Sequence, residues 1–91
     1  MSSEFRNNKK EVRYHMFYEY SKLRGRIKEV FGTQEAFAAA MGMSSAAISA
    51  RLNNVNNFSQ AEIDLACKLL SIPDGEIRSY FFCQLSSENQ N

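Results

Sequence analysis

Along the middle of the chain, apolar residues recur at steps of three and four rather than two, the period of a helix with one buried face. From Ser21 onward, Leu23, Ile27, Val30 and Phe31 share one face of a first helix, with Ser21 as cap, Gly32 as stop and Lys22, Arg26 and Lys28 left to solvent. Thr33 is placed to cap a second helix that turns Phe37, Ala38 and Met41 inward and ends at Gly42. That helix has only about two turns and needs tertiary support to be stable. Ser44 or Ser45 caps a third, with Ile48 and Leu52 toward the core, and NNVNNF follows as a polar turn-forming loop. Ser59 and Glu62 form the S-x-x-E capping box of a fourth helix, buried through Ile63, Ala66, Leu69 and Leu70. Ile72-Pro73-Asp74 opens a short fifth, with Ile77, Tyr80 and Phe81 on one side. The pattern predicts an all-α protein of five helices.

Both flanks break this pattern. MSSEFRNNKKEVRYH and SSENQN carry no apolar stripe, so the expected organisation is a basic, flexible arm over 1–19, a helical domain over 20–83 and a disordered tail over 84–91. A chain of 91 residues has room for one core and no second.

Charge is placed unevenly. The net charge is +1, yet the first thirty residues set eight basic groups against four acidic ones. From Ser59 onward only Lys68 and Arg78 oppose Glu62, Asp64, Asp74, Glu76 and Glu88. The chain has a basic head and an acidic tail, which leaves a nucleic-acid partner open despite the small net charge. No apolar run reaches membrane-spanning length and no secretory signal pattern precedes the domain, so a cytoplasmic location and no membrane partner are expected. Cys67 and Cys83 lack C-x-x-C spacing and histidine partners, and His15 lies far off in a charged segment; free thiols are expected, with Cys67 buried, and no metal site. No carboxylate pair, Cys–His arrangement or phosphate-cradling glycine loop points to an enzyme, a cofactor or a small-molecule substrate.

The second and third helices, TQEAFAAAMGMSSAAISARLNN, have the layout of a helix-turn-helix: two short helices about a tight glycine-containing turn. Ala38 is small where the helices cross, Gly42 suits a left-handed turn, Met43 fills the space beneath it and Ile48 anchors the third helix. Through Thr33-Gln34-Glu35, Phe37-Ala38, Met41-Gly42-Met43-Ser44, Ile48-Ser49 and Leu52-Asn53, the sequence resembles the Cro/repressor helix-turn-helix family. The segments YSKLRGRIKEVFGTQ, SQAEIDLACKLLSIP and EIRSYFF extend the likeness to a subgroup of small phage and prophage regulators over Tyr20–Phe82.

The resemblance implies a lambda-repressor-like domain that regulates transcription by reading a palindromic operator in double-stranded DNA, with the third helix in the major groove. Ser44, Ser45, Ala46, Ser49 and Ala50 are then the base-reading residues: a helix entering between phosphate walls needs a narrow front. Thr33, Gln34, Asn53, Asn54 and Asn57 take backbone-contacting roles by the same likeness. Arg51 departs from many members of that family, which carry a bulky apolar or aromatic residue there; either its stem covers the core rim or it reaches a phosphate. A homodimer through the C-terminal part is expected, because IRSYFFCQL spreads Ile77, Tyr80, Phe81, Phe82 and Leu85 over more than one face; Tyr80, Phe81 and Phe82 are the candidate interface. The alternative function keeps the fold but turns it toward another protein, as an antirepressor or antitoxin-like module. The near-neutral charge and the arginine-free tip of the third helix favour it.

Overall fold

The structure, a computed structural model, describes residues 17–84. The basic arm before Phe17 and the tail after Gln84, with Leu85, fall outside the described residues. The five expected helices are α1 (Ser21–Phe31), α2 (Gln34–Met41), α3 (Ser45–Leu52), α4 (Gln60–Leu70) and α5 (Ile77–Phe81), the last entered through a single 3-10 turn at Asp74–Glu76. Among the described residues the only β pairing is one antiparallel bridge between Tyr18 and Gln84.

Short helices persist here because their ends are satisfied locally and their apolar stripes converge. Thr33 Oγ1 accepts the Ala36 N–H at 3.0 Å, and Ser44 Oγ accepts the Ala47 N–H at 3.0 Å. Ser59 and Glu62 complete a reciprocal capping box at the start of α4. Gly42 ends α2 in the left-handed conformation, φ 72°, and Met43 N–H returns to the Ala38 carbonyl at 2.9 Å. The stripes meet in one core: Leu23 and Ile27 from α1, Phe37, Ala38 and Met41 from α2, Ile48 and Leu52 from α3, Ala66, Cys67 and Leu70 from α4, and Phe81 from α5. Tyr20, Phe58 and Ile72 join it from the connecting segments. Burial pushes the Tyr20 phenol up to about 12.

Four expectations are corrected. Ser21 is not the cap of α1; it is the first helical residue, and Glu19 supplies the carboxylate that accepts the Ser21 N–H at 3.3 Å and hydroxyl at 2.7 Å. Val30 is 43% exposed, because α1 meets its neighbours through Leu23 and Ile27 and only Phe31 continues the stripe, packing against Phe37 at 5.6 Å. Arg26 is not a solvated side chain: its Nε donates to the Leu70 carbonyl at 2.8 Å, closing the end of α4. Arg24 does the same for α3, donating to the Leu52 carbonyl at 3.0 Å. Two arginines of α1 thus each supply positive charge and a donor to the open end of another helix.

The last correction concerns the boundary at residue 19. Tyr18, assigned to the arm, belongs to the fold: Asn54 Oδ1 accepts the Tyr18 N–H at 2.8 Å and Asn54 Nδ2 donates to the Tyr18 carbonyl at 2.9 Å. One amide side chain thereby imitates a neighbouring β-strand. On the next residue, Glu19 N–H donates to the Cys83 carbonyl at 2.7 Å. Asn54 does this from a left-handed backbone, φ 65°, which asparagine tolerates better than most residues. Replacing Asn54 with Ala removes both bonds and adds backbone strain, so urea unfolding should show a loss of about 3 kcal/mol. Asn54→Gly should recover about 1 kcal/mol of it by relieving the strain alone. Equal losses for the two variants would show that the backbone conformation contributes nothing.

Candidate recognition face

α3 is eight residues long and too short to hold its place unaided. Ile48 and Leu52 are buried and set its inner face. The opposite side carries Ser45 and Ala46 exposed, with Ser49 and Ala50 half-buried beside them. These four were expected to form one surface, and the structure brings them together. Ser44 stands at the edge as N-cap, its oxygen engaged by the Ala47 N–H.

The expected phosphate contacts divide into two groups. Thr33 and Gln34 lie at the start of α2, where with Arg24, Ile27, Lys28 and Gly32 they line an opening of about 220 Å³. Asn57 is exposed in the loop after α3. Arg51, Asn53 and Asn54 are bonded to other groups of the chain instead, Asn53 at an exposed position. Arg51 makes a two-pronged contact with Glu62, Nε to Oε1 at 2.8 Å and Nη2 to Oε2 at 3.2 Å, while Nη1 donates to the Ala47 carbonyl at 3.1 Å. Both side chains are only about one-fifth exposed, 19% and 22%. Of the two roles left open for Arg51, the first is nearer: it lies along the rim and ties α3 to the start of α4. Asn53 accepts from Arg24 at 2.9 Å and donates to Ser49 Oγ at 3.2 Å.

Glu62 is the residue whose full role the sequence concealed. Its Oε1 accepts the Ser59 N–H at 2.9 Å as the capping box requires and also receives Arg51. Its carboxylate is held below the usual range, chiefly by the Arg51 hydrogen bond, against partial desolvation and with help from the Ser59 bonds. The unexpected arginine at 51 facing an acidic helix start was the available signal.

At the far end of the molecule the expected dimer residues separate. Phe81 is 1% exposed and sits edge-on to Phe58 at 5.4 Å, so it is core and cannot meet a second copy. The reason is that Phe58 and Tyr20, from outside the helices, complete an aromatic pocket around it. Tyr80 is half-buried, with Lys22 Nζ 4.6 Å from its ring centre. Phe82 is 38% exposed against the edge of Tyr18. Cys67 is buried, which pushes its thiol up, and Cys83 is exposed.

The fold and this face define an all-α protein of helix-turn-helix type that presents a small, uncharged helix surface. The chain belongs to DUF739, a family of proteins of unknown function, whose model matches residues 16–84. It is similar to the solution structure of the modulator of repression of the temperate bacteriophage TP901-1 from Lactococcus lactis. The two share 42% identity with a TM-score of 0.65, over 71% of this chain and 88% of that one. No curated protein matches it.

The Arg51–Glu62 contact has a pH signature. A carboxylate that titrates lower when folded contributes stability above its unfolded value, about 4.3, and loses it as pH falls through the depressed folded value. Glu62→Gln should therefore unfold about 1–2 kcal/mol more easily than wild type at neutral pH, and the gap should close as pH falls below the ordinary carboxylate value of about 4.3. Urea titrations across that range test this; a gap independent of pH would mean that the charge on Glu62 contributes nothing.

Proposed function

We propose that the chain is a phage regulatory protein that modulates repression, and that it does so by laying the exposed face of α3 on a protein partner, a repressor. The regulatory part draws on the likeness to a modulator of repression at 42% identity. The protein partner is carried by one observation: the recognition face is uncharged, and the only cation of α3, Arg51, is engaged by Glu62. Binding to DNA draws most of its affinity from neutralised phosphates, and α3 offers no cation for that. Ser45, Ala46, Ser49 and Ala50 instead let another backbone approach closely, as small residues do where helices pack.

A second reading, sequence-specific binding to operator DNA, is favoured by a different observation. Arg24 and Lys28 flank Gln34 and Thr33 at the start of α2, where a duplex seated on α3 would need positive charge. In that reading the homodimer would pair through Phe82 and Tyr80, without Phe81, and place two copies of α3 on a palindrome.

Ala46→Glu separates the two. The substitution lies on an exposed position and should leave the melting temperature within about 2 °C of wild type. Affinity for the purified repressor encoded in the same phage or prophage genome should fall at least about tenfold, while both proteins show only weak, sequence-independent binding to duplex DNA that vanishes with salt. Unchanged repressor affinity, together with tight salt-dependent operator binding that Ala46→Glu abolishes, would establish the DNA reading instead.

A further inference from the structure

A chain of hydrogen bonds runs from α1 to the recognition face, and its polarity is set at one end. Arg24 has only donors to offer, so its Nη2, 2.9 Å from Asn53 Oδ1, decides which way the Asn53 amide faces. The same Nη2 lies 3.0 Å from the Leu52 carbonyl, which keeps the guanidinium at the end of α3. With Oδ1 turned to Arg24, Nδ2 is turned to Ser49 and donates to its Oγ at 3.2 Å. One lone pair of the Ser49 oxygen is thus engaged, and among the described residues its hydroxyl proton meets no acceptor. Ser45 lies one helical turn before Ser49 on the same side.

We infer that Arg24 and Asn53 are positioning residues for recognition: they hold Ser49 as a hydrogen-bond donor, so the repressor surface that meets α3 presents an oxygen acceptor at that place. This rests on α3 being the face that contacts the repressor. A serine hydroxyl alone meets donors and acceptors equally well. The relay occupies one of the two Ser49 lone pairs and keeps the hydroxyl proton off Asn53, which leaves the proton for an acceptor on the partner and weights the position toward donation. Specificity at a face without charged side chains then comes from orientation rather than from ion pairing.

The test is a double-mutant cycle on affinity for the purified repressor from the same phage or prophage genome, using Ser49→Ala and Asn53→Asp. In Asn53→Asp both side-chain oxygens accept, so Arg24 is still satisfied while the Ser49 proton is drawn inward, away from the partner. Each single variant should weaken binding about fivefold to tenfold, the size of one hydrogen bond with its partner left unpaired. The double variant should be no weaker than either, because Asn53 acts through Ser49. Ser49→Thr, which keeps the hydroxyl, should restore most of the affinity, and melting temperatures should stay near wild type throughout. Additive losses, or full affinity in Asn53→Asp, would overturn the positioning role while leaving α3 as the contact. If Ala46→Glu also leaves repressor affinity intact, the contact face itself is wrong and the inference fails with it. If the same variants instead weaken operator DNA, the acceptor belongs to a base edge and the protein partner is overturned.

Discussion

The structure depends on how an eight-residue helix is kept in one position. An isolated helix of that length is unstable in water, so nothing in α3 itself secures its place. Its position comes from four outside ties. Ile48 and Leu52 are sunk in the core, and Gly42 turns the chain so that α2 leads into α3 at a fixed angle. Arg51 grips Glu62 at the start of α4, and Arg24 closes the carbonyl end from α1. Every tie approaches from the inner side or the ends. The outer side is left with local bonds, Asn53 Nδ2 to Ser49 Oγ and the Val55 N–H to the Ala50 carbonyl, so its side chains can be as small and bare as Ser45, Ala46, Ser49 and Ala50 make them.

What could be read from the sequence follows from the range of the interactions. Helices α1 to α5 and the caps at Thr33, Ser44 and Ser59 were legible because their partners lie within four residues and their residue types have narrow uses. The same holds for the inward face of α2 and α3, where Phe37, Ala38, Ile48 and Leu52 keep helical spacing. The polar residues after α3 were another matter. Asn53 reaches Arg24 and Asn54 reaches Tyr18, partners 29 and 36 positions away in the chain, and no local pattern announces such pairs. Asn54 did carry a hint in its tolerance for a left-handed backbone. Phe81 misled for a related reason: its spacing suits a surface helix, but Tyr20 and Phe58 arrive from segments with no helical period and enclose it.

These internal ties also change what the charges mean. A basic head and an acidic tail suggest a protein polarised for a charged partner, yet among the described residues several of those charges are answered within the fold. Arg26 meets Glu29 and the end of α4, Lys22 lies near Glu76, and Arg51 meets Glu62. Around α3 the exposed chemistry is small, polar and uncharged, and that surface is better matched to a folded protein than to a phosphate backbone. A helix-turn-helix fold by itself decides nothing here, since the same scaffold serves both ends.

Chemical-shift mapping tests this account most directly. The ¹⁵N-labelled chain would be titrated separately with the unlabelled repressor from its own phage or prophage genome and with operator duplex at physiological salt. The account predicts that the repressor shifts the amides of Ser44 to Ala50 and the side-chain amide of Asn53, while the duplex leaves them in place. Shifts confined to Tyr18 and Ile77 to Gln84, or shifts of α3 by the duplex alone, would contradict it.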